Sequence, residues 1–306
     1  MEFIKAGTNI NFVGKMKIAF WVSLAMIIIS VVSLIVHGGL NLGIDFAGGT
    51  MVQIKFATPT GANEIRDALR AVNLEGSVIQ RFGTRGENEF LIKTEKSSSD
   101  LKGLSDDIEK ALATSYGTGD FEVRRVEVVG PKVGQDLRTK GILAILYAMV
   151  GILIYITWRF EFRYAIGAII ALLQDVFITV GIFSILGKEF TLPIVAALLT
   201  IIGYSLNDTI VVFDRIRENI KGIKKRSTAE VVNGSINQTL SRTLLTSLTT
   251  LLVVAALFFL GGAVIHDFAF ALLVGIIVGT YSSVFVASPL ILAWERIRPT
   301  KPKKKR

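Results

Sequence analysis

Apolar residues dominate the chain in six long runs, residues 18–36, 142–158, 165–187, 190–213, 243–262 and 268–294, each long enough to cross a bilayer core of about 30 Å as a helix. Between the first two runs the pattern changes. Residues 51–58 alternate as a strand, and residues 61–72 read as an amphipathic helix with Ile65, Leu69 and Val72 on one face. Two further strands, 77–82 and 89–95, flank a hairpin-like loop at 83–88. Asp100 caps a second helix carrying Leu101, Leu104, Ile108 and Leu112, which ends near Gly117, and residues 121–129 form a last strand. The order βαββαβ predicts a ferredoxin-like sandwich with both helices on one face of an antiparallel sheet. The expected fold is therefore an all-α membrane bundle of six transmembrane helices with an inserted α+β ferredoxin-like domain. That domain and its connectors fill residues 37–141, with a turn at Gly130-Pro131-Lys132-Val133-Gly134 before the chain returns to the membrane.

Two local features refine the spans. Gly275, Gly279, Ser283 and Ala287 recur every four residues in the sixth, a small-residue stripe that lets another helix approach closely. Pro193 falls near the start of the fourth, where a missing N–H costs little. The first run is longer than a typical signal-peptide core, and Val36-His37-Gly38-Gly39 is a poor cleavage site, so it reads as an uncleaved span.

Composition agrees with a membrane protein: 51% of residues are hydrophobic and the mean hydropathy is +0.55. The formal charge of +9 does not come from the inserted domain, where residues 37–141 hold 14 basic against 15 acidic side chains. It comes from the flanks of the spans. Three basic residues precede span one, two follow span two, seven lie between spans four and five and seven fill the tail, against Lys188 alone in the two short loops opposite. This bias predicts both termini (1–17 and 295–306) and the 214–242 loop in the cytoplasm, and an extracytoplasmic domain. The tail sequence KPKKKR then reads as a topogenic charge that also meets anionic membrane lipid, not as a nucleic-acid patch. No cysteine is present, which excludes disulfides and thiolate chemistry. His37 and His266 have no ligand-spaced companions, so no metal site is expected.

The candidate chemistry lies inside the spans. Asp208 interrupts an otherwise membrane-grade segment, where a carboxylate costs about 2.5–3.5 kcal/mol and marks ion or proton traffic. Thr200, Tyr204 and Asp208 share one helix face, and Asn207 adjoins them. From Phe190, Asp208 lies roughly 27 Å along its helix, in the cytoplasmic half of the core. Arg242, at the start of span five, reaches a similar depth and is expected to pair with it. Thr246, Ser247 and Thr249 or Thr250 continue that face as a hydroxyl stripe able to relay hydrogen bonds, or simply to hold helices together. Asp175, beside Gln174 in span three, is a supporting candidate roughly 15 Å into the core. Nucleophile, Walker and zinc-protease patterns are absent. Asp175 and Asp208 lack the Tyr-Asp and Gly-x-Gly-Asp contexts of an intramembrane aspartyl protease, so no enzyme is predicted.

Several segments resemble the SecF family, the smaller membrane subunit of the SecDF protein-export complex. They are Gly43-Ile44-Asp45-Phe46-Ala47-Gly48-Gly49-Thr50, Gly130-Pro131-x-Val133-Gly134, the run from Tyr204 to Asn219, and Gln238-Thr239-Leu240-x-Arg242-Thr243. One departure is Gln174-Asp175, where many members have His-Asp. The resemblance implies one six-span half of a resistance-nodulation-division transporter, with SecD as the other half. It implies Asp208 and Arg242 as proton-pathway positions, Asp45, Gly48 and Gly49 as an extracytoplasmic signature, and no cofactor beyond protons. It further implies the SecYEG channel, SecA at one remove and unfolded secretory polypeptide as partners, in the cytoplasmic (inner) membrane of a bacterium or archaeon. A small-molecule or lipid exporter of the same superfamily is the alternative, and a passive assembly factor the third reading.

Overall fold

The computed structural model describes residues 8–83, 86–94, 101–117, 119–222 and 227–297. Asp100, the middle of the 83–88 loop, the first residues of the N-terminal segment and most of the basic tail lie outside the described residues.

Six helices are long and apolar enough to cross a membrane. They are α1 (Met16–Val36), α5 (Pro131–Arg159), α6 (Phe162–Ile185), α7 (Leu192–Gly222), α8 (Thr228–Leu260) and α9 (Gly262–Ser282), the last continued by a π-helical turn (Ser283–Ala287) and α10 (Ser288–Ile297). Several run well beyond the apolar segments expected for them. The expected turn at Gly130–Gly134 is instead the first turn of α5, because Gly130 supplies the extended N-cap and Pro131 the first helical residue, where its ring fits without loss of a bond. Most of the expected loop 214–242 is likewise helical, shared between the end of α7 and the start of α8. Ser227 begins α8 with a capping box: its hydroxyl accepts from Glu230 N–H at 3.3 Å, and Glu230 accepts from Ser227 N–H at 3.2 Å.

Helices α6, α7 and α9 form the interior, while α1, α5 and α8 stay largely uncovered. Small residues make the central contacts possible. A Cβ on Gly275 would sit 2.3 Å from Ile201, and one on Gly279 would sit 2.9 Å from Ser205, so the stripe brings α9 hard against α7. Nearer the α1 start, Tyr164, Phe213, Ile216 and Ile291 close a second packed cluster that takes in Phe12.

The inserted domain is a four-stranded sheet of β1 (Gly49–Phe56), β2 (Val78–Phe82), β3 (Glu89–Thr94) and β4 (Phe121–Val129) in the order β2-β3-β1-β4, with every neighbouring pair antiparallel. Alternation decides the register: Val52 faces Ile92 and Val126, and Ile54 faces Phe90 and Val123. Helices α3 (Ala62–Leu69) and α4 (Leu101–Tyr116) send Ile65, Leu69, Ile108 and Leu112 onto Val52, Ile54, Phe90 and Ile92. A short helix, α2 (Ile44–Ala47), joins α1 to the sheet and was not legible from periodicity, since one turn shows none.

Candidate functional site

Asp208 lies on α7 and is only 3% exposed. Ser247 of α8 approaches its Oδ2 at 3.4 Å, and Ser247 in turn meets Thr280 of α9 at 2.7 Å. Arg242 does not form the expected ion pair. No salt bridge within 4.0 Å joins Asp208 to a cation among the described residues, although Arg242 is near enough to act on it through space. The reason is placement: Arg242 sits on the exposed side of α8, while Ser247, more than one turn on, faces inward.

The expected hydroxyl stripe is also redistributed. Thr246, Thr249 and Thr250 donate to carbonyls of their own helix, at Arg242 (3.0 Å), Leu245 (2.9 Å) and Thr246 (2.9 Å) respectively, so they are internally satisfied. On α7, Thr200 donates to Ala196 O at 2.9 Å, whereas the buried Tyr204 hydroxyl has no partner among the described residues. Asn207 is exposed, as are Thr200 and Gly203, which leaves a polar and small-residue face of α7 uncovered beside Asp208.

Asp175 is fully buried on α6. Its Oδ2 accepts from Ser205 of α7 at 2.6 Å and from Ser282 of α9 at 2.9 Å, and its Oδ1 has no partner among the described residues. Ser205 precedes Asp208 by three residues, so the two carboxylates flank one turn of α7. Below them Thr209 and Ser283 meet at 2.9 Å. Ser205, Thr280 and Ser282 were missed by sequence reasoning that looked for charge, while Ser247 was expected in the hydroxyl stripe and Ser283 only as a small packing residue. The adjacent hydroxyls Ser282-Ser283 in an apolar span were the available signal. A buried carboxylate held only by neutral hydroxyls is an expensive arrangement. Among the described residues no group of three His, Asp or Glu could hold a metal ion.

The N-terminal end of α7 is clasped by the segment after α1. Asp45 Oδ2 accepts the backbone N–H of Leu192 at 2.8 Å, capping the helix that carries Asp208. Leu42 and Phe190 form a parallel bridge, with Gly43 N–H to Phe190 O at 2.9 Å and Phe190 N–H to Asn41 O at 2.7 Å. Gly48, at φ +78°, turns the chain into β1 where a side chain would meet Pro131 at 2.9 Å. A Cβ on Gly134 would sit 3.1 Å from Phe46 O and Gly48 N, so α5 begins flush against the same turn. Gly49, also at positive φ, opens β1. Lys93 of β3 pairs with Glu189, tying the sheet to the loop before α7.

The comparisons with known proteins agree with one another. The family described as the C-terminal part of the protein export membrane proteins SecD and SecF matches residues 108–297, and the SecD/SecF GG motif matches residues 33–60. The protein translocase subunit SecF of Magnetococcus marinus is 54% identical over 95% of this chain and 93% of its own length. The SecF subunit of Pseudomonas aeruginosa is 40% identical over 95% and 92%. The crystal structure of SecDF, a translocon-associated membrane protein from Thermus thermophilus, superposes with a TM-score of 0.83 at 40% identity, covering 95% of this chain and 39% of that one. A super-membrane-facing form of SecDF gives 0.71, covering 97% and 40%. The chain spans about two-fifths of those solved SecDF chains. With six membrane helices, a clasped α7 and a GG signature at the clasp, this multi-pass membrane chain belongs to the SecF family of protein translocase subunits.

Proposed function

We propose that this chain, paired with a SecD subunit, uses inward proton flow to drive late steps of protein export. The observation that carries the reading is Asp208, buried in apolar α7 beside the neutral hydroxyls of Ser247 and Thr246, with no cation in bonding range among the described residues. Proton uptake from the outer side weakens the pull between Asp208 and Arg242, and α7 and α8 repack. The Asp45 cap passes that motion to the inserted domain, which lies outside the membrane and handles emerging polypeptide. Flanking positive charge supports cytoplasmic termini, and the strand order with both helices on one face supports the ferredoxin-like reading. The uncovered face of α7 at Thr200, Gly203 and Asn207 suits a second six-helix subunit. SecYEG and the secretory chain are the further partners this reading requires.

The energy scale is sufficient. One charge moved through about 150 mV yields roughly 3.5 kcal/mol, enough to shift a two-state equilibrium by more than a hundredfold. The test is Asp208→Asn in the full complex, measured as proton flux in vesicles and as export. Assembly should persist while proton-dependent export is lost; normal export by that variant overturns the proposal.

A further inference from the structure

Away from the α6–α7–α9 interior, a cleft of about 620 Å³ opens sideways between the first half of α1, α6 and the chain beyond the π turn. It arises because two helices part company. From Ser23 outward α1 lies tight on α6: Gln174 donates to Ser23 at 3.2 Å, Ser33 meets Ser184 at 2.9 Å, and a Cβ on Gly181 would fall 2.0 Å from Ser30. Toward the start of α1 that small-residue seam ends. The facing wall there comes from Phe285 and Pro289. Phe285 is fixed by a stack on Tyr281 at 5.2 Å and an edge contact with Phe12 at 5.7 Å, which keeps the wall from collapsing into the gap.

The cleft has the length and chemistry of one lipid tail. Along α1 it runs from Lys17 to Ile27, about ten residues or roughly 15 Å, which is half the thickness of a bilayer core. Its walls are apolar, the exposed Trp21 ring lines it at interfacial depth, and Lys17 stands at the mouth with Lys15 exposed beside it. The first turn of α1 contains no acidic residue to offset Lys17. We infer that this cleft binds one acyl chain of an anionic phospholipid, with the lipid phosphate on Lys17. A lipid held only as part of the annulus would not respond to the width of the cleft, and that difference makes the site measurable.

The experiment uses the full chain in vesicles with Trp158→Phe and Trp294→Phe, leaving Trp21 as the only reporter in the chain. Phosphatidylglycerol or phosphatidylcholine with brominated acyl chains is titrated in, and quenching of Trp21 gives the relative affinity of each. Phosphatidylglycerol should compete roughly fivefold better, the worth of one lysine at an anionic surface. Lys17→Gln should bring the ratio to one, and Ala293→Leu, which narrows the cleft, should reduce quenching by both lipids. Equal quenching by the two lipids in the parent, or a preference that survives Lys17→Gln, overturns the inference.

Discussion

The carboxylate of Asp45 accepts the backbone N–H of Leu192 at 2.8 Å across 147 residues of sequence, so the loop leaving α1 caps the helix that carries Asp208. A carboxylate at that position satisfies a helix-start donor and opposes the positive end of the helix dipole. Asp45→Ala should lower stability by about 0.5–2 kcal/mol, whereas Asp45→Asn, which keeps an acceptor, should cost less. Thermal unfolding in detergent checks the order Asp, Asn, Ala. Export by the same variants then reads whether the cap also transmits motion, since a capping role alone would leave export per folded molecule unchanged.

The two glycines beside that cap answer to different constraints. Gly48 combines a left-handed φ of +78° with backbone 2.9 Å from its missing Cβ, so Gly48→Ala meets both strain and a clash that no rotamer relieves. Gly134 lies in a regular helix, and its missing Cβ would only crowd Phe46 O and Gly48 N at 3.1 Å. Gly134→Ala should therefore cost about 1–3 kcal/mol as overpacking, and Gly48→Ala more. Denaturation of the two variants side by side tests that ranking.

The sequence made the six spans, the order of strands and helices in the inserted domain, and Asp208 legible, because each is written in local hydrophobic pattern or in one unaffordable charge. The close approach of α9 to α7 was legible too, in Gly275 and Gly279. The site around Asp208 was not. Whether Arg242 or Ser247 faces the carboxylate depends on the rotation of α8, which is chosen by its packing against α7 and α9 rather than by its own weakly patterned sequence. The capping role of Asp45, a residue singled out only as part of a signature, escaped for a similar reason: a cap supplied from a distant loop leaves no mark at the helix it caps. The N-terminal limits of α5 and α8 were missed because hydropathy marks where a helix enters lipid, not where it begins.

Asp175 offers a test of whether a buried carboxylate is structural or exchanges protons. Its Oδ2 receives the hydroxyls of Ser205 and Ser282 while Oδ1 has no partner among the described residues, so an asparagine can keep both bonds through its amide oxygen. Asp175→Asn should leave the fold near parental stability. Asp175→Ala strands the buried Ser205 hydroxyl, at about 1–3 kcal/mol, and opens space, while Ser282 keeps its bond to Gly279 O at 3.1 Å. If proton flux in vesicles falls in the asparagine variant while its melting temperature holds, Asp175 belongs to the proton path; if flux is retained, its role ends at holding α6, α7 and α9 together.

At the opposite end of the bundle, two asparagines one helical turn apart on α8 hold the segment that leads into α1. Asn233 Oδ1 accepts the N–H groups of Phe12 at 2.8 Å and Val13 at 3.2 Å, and Asn237 accepts from Ile10 N–H and donates to Ile10 O, both at 2.8 Å. The Asn237 bonds are exposed and the Asn233 bonds part-buried, and each contributes about 0.5–1.5 kcal/mol. Phe12 is a separate anchor, 7% exposed and packed on Phe285. Asn233→Ala with Asn237→Ala should therefore loosen the strap without unfolding the bundle. Amide exchange at Ile10 and Phe12 should accelerate about tenfold or more, since each 1.4 kcal/mol of lost local stability corresponds to a factor of ten, while exchange in α6 stays as it was. Acceleration throughout α6 would instead mean that the strap is part of the global fold, and unchanged exchange at Ile10 would mean that Phe12 alone holds it.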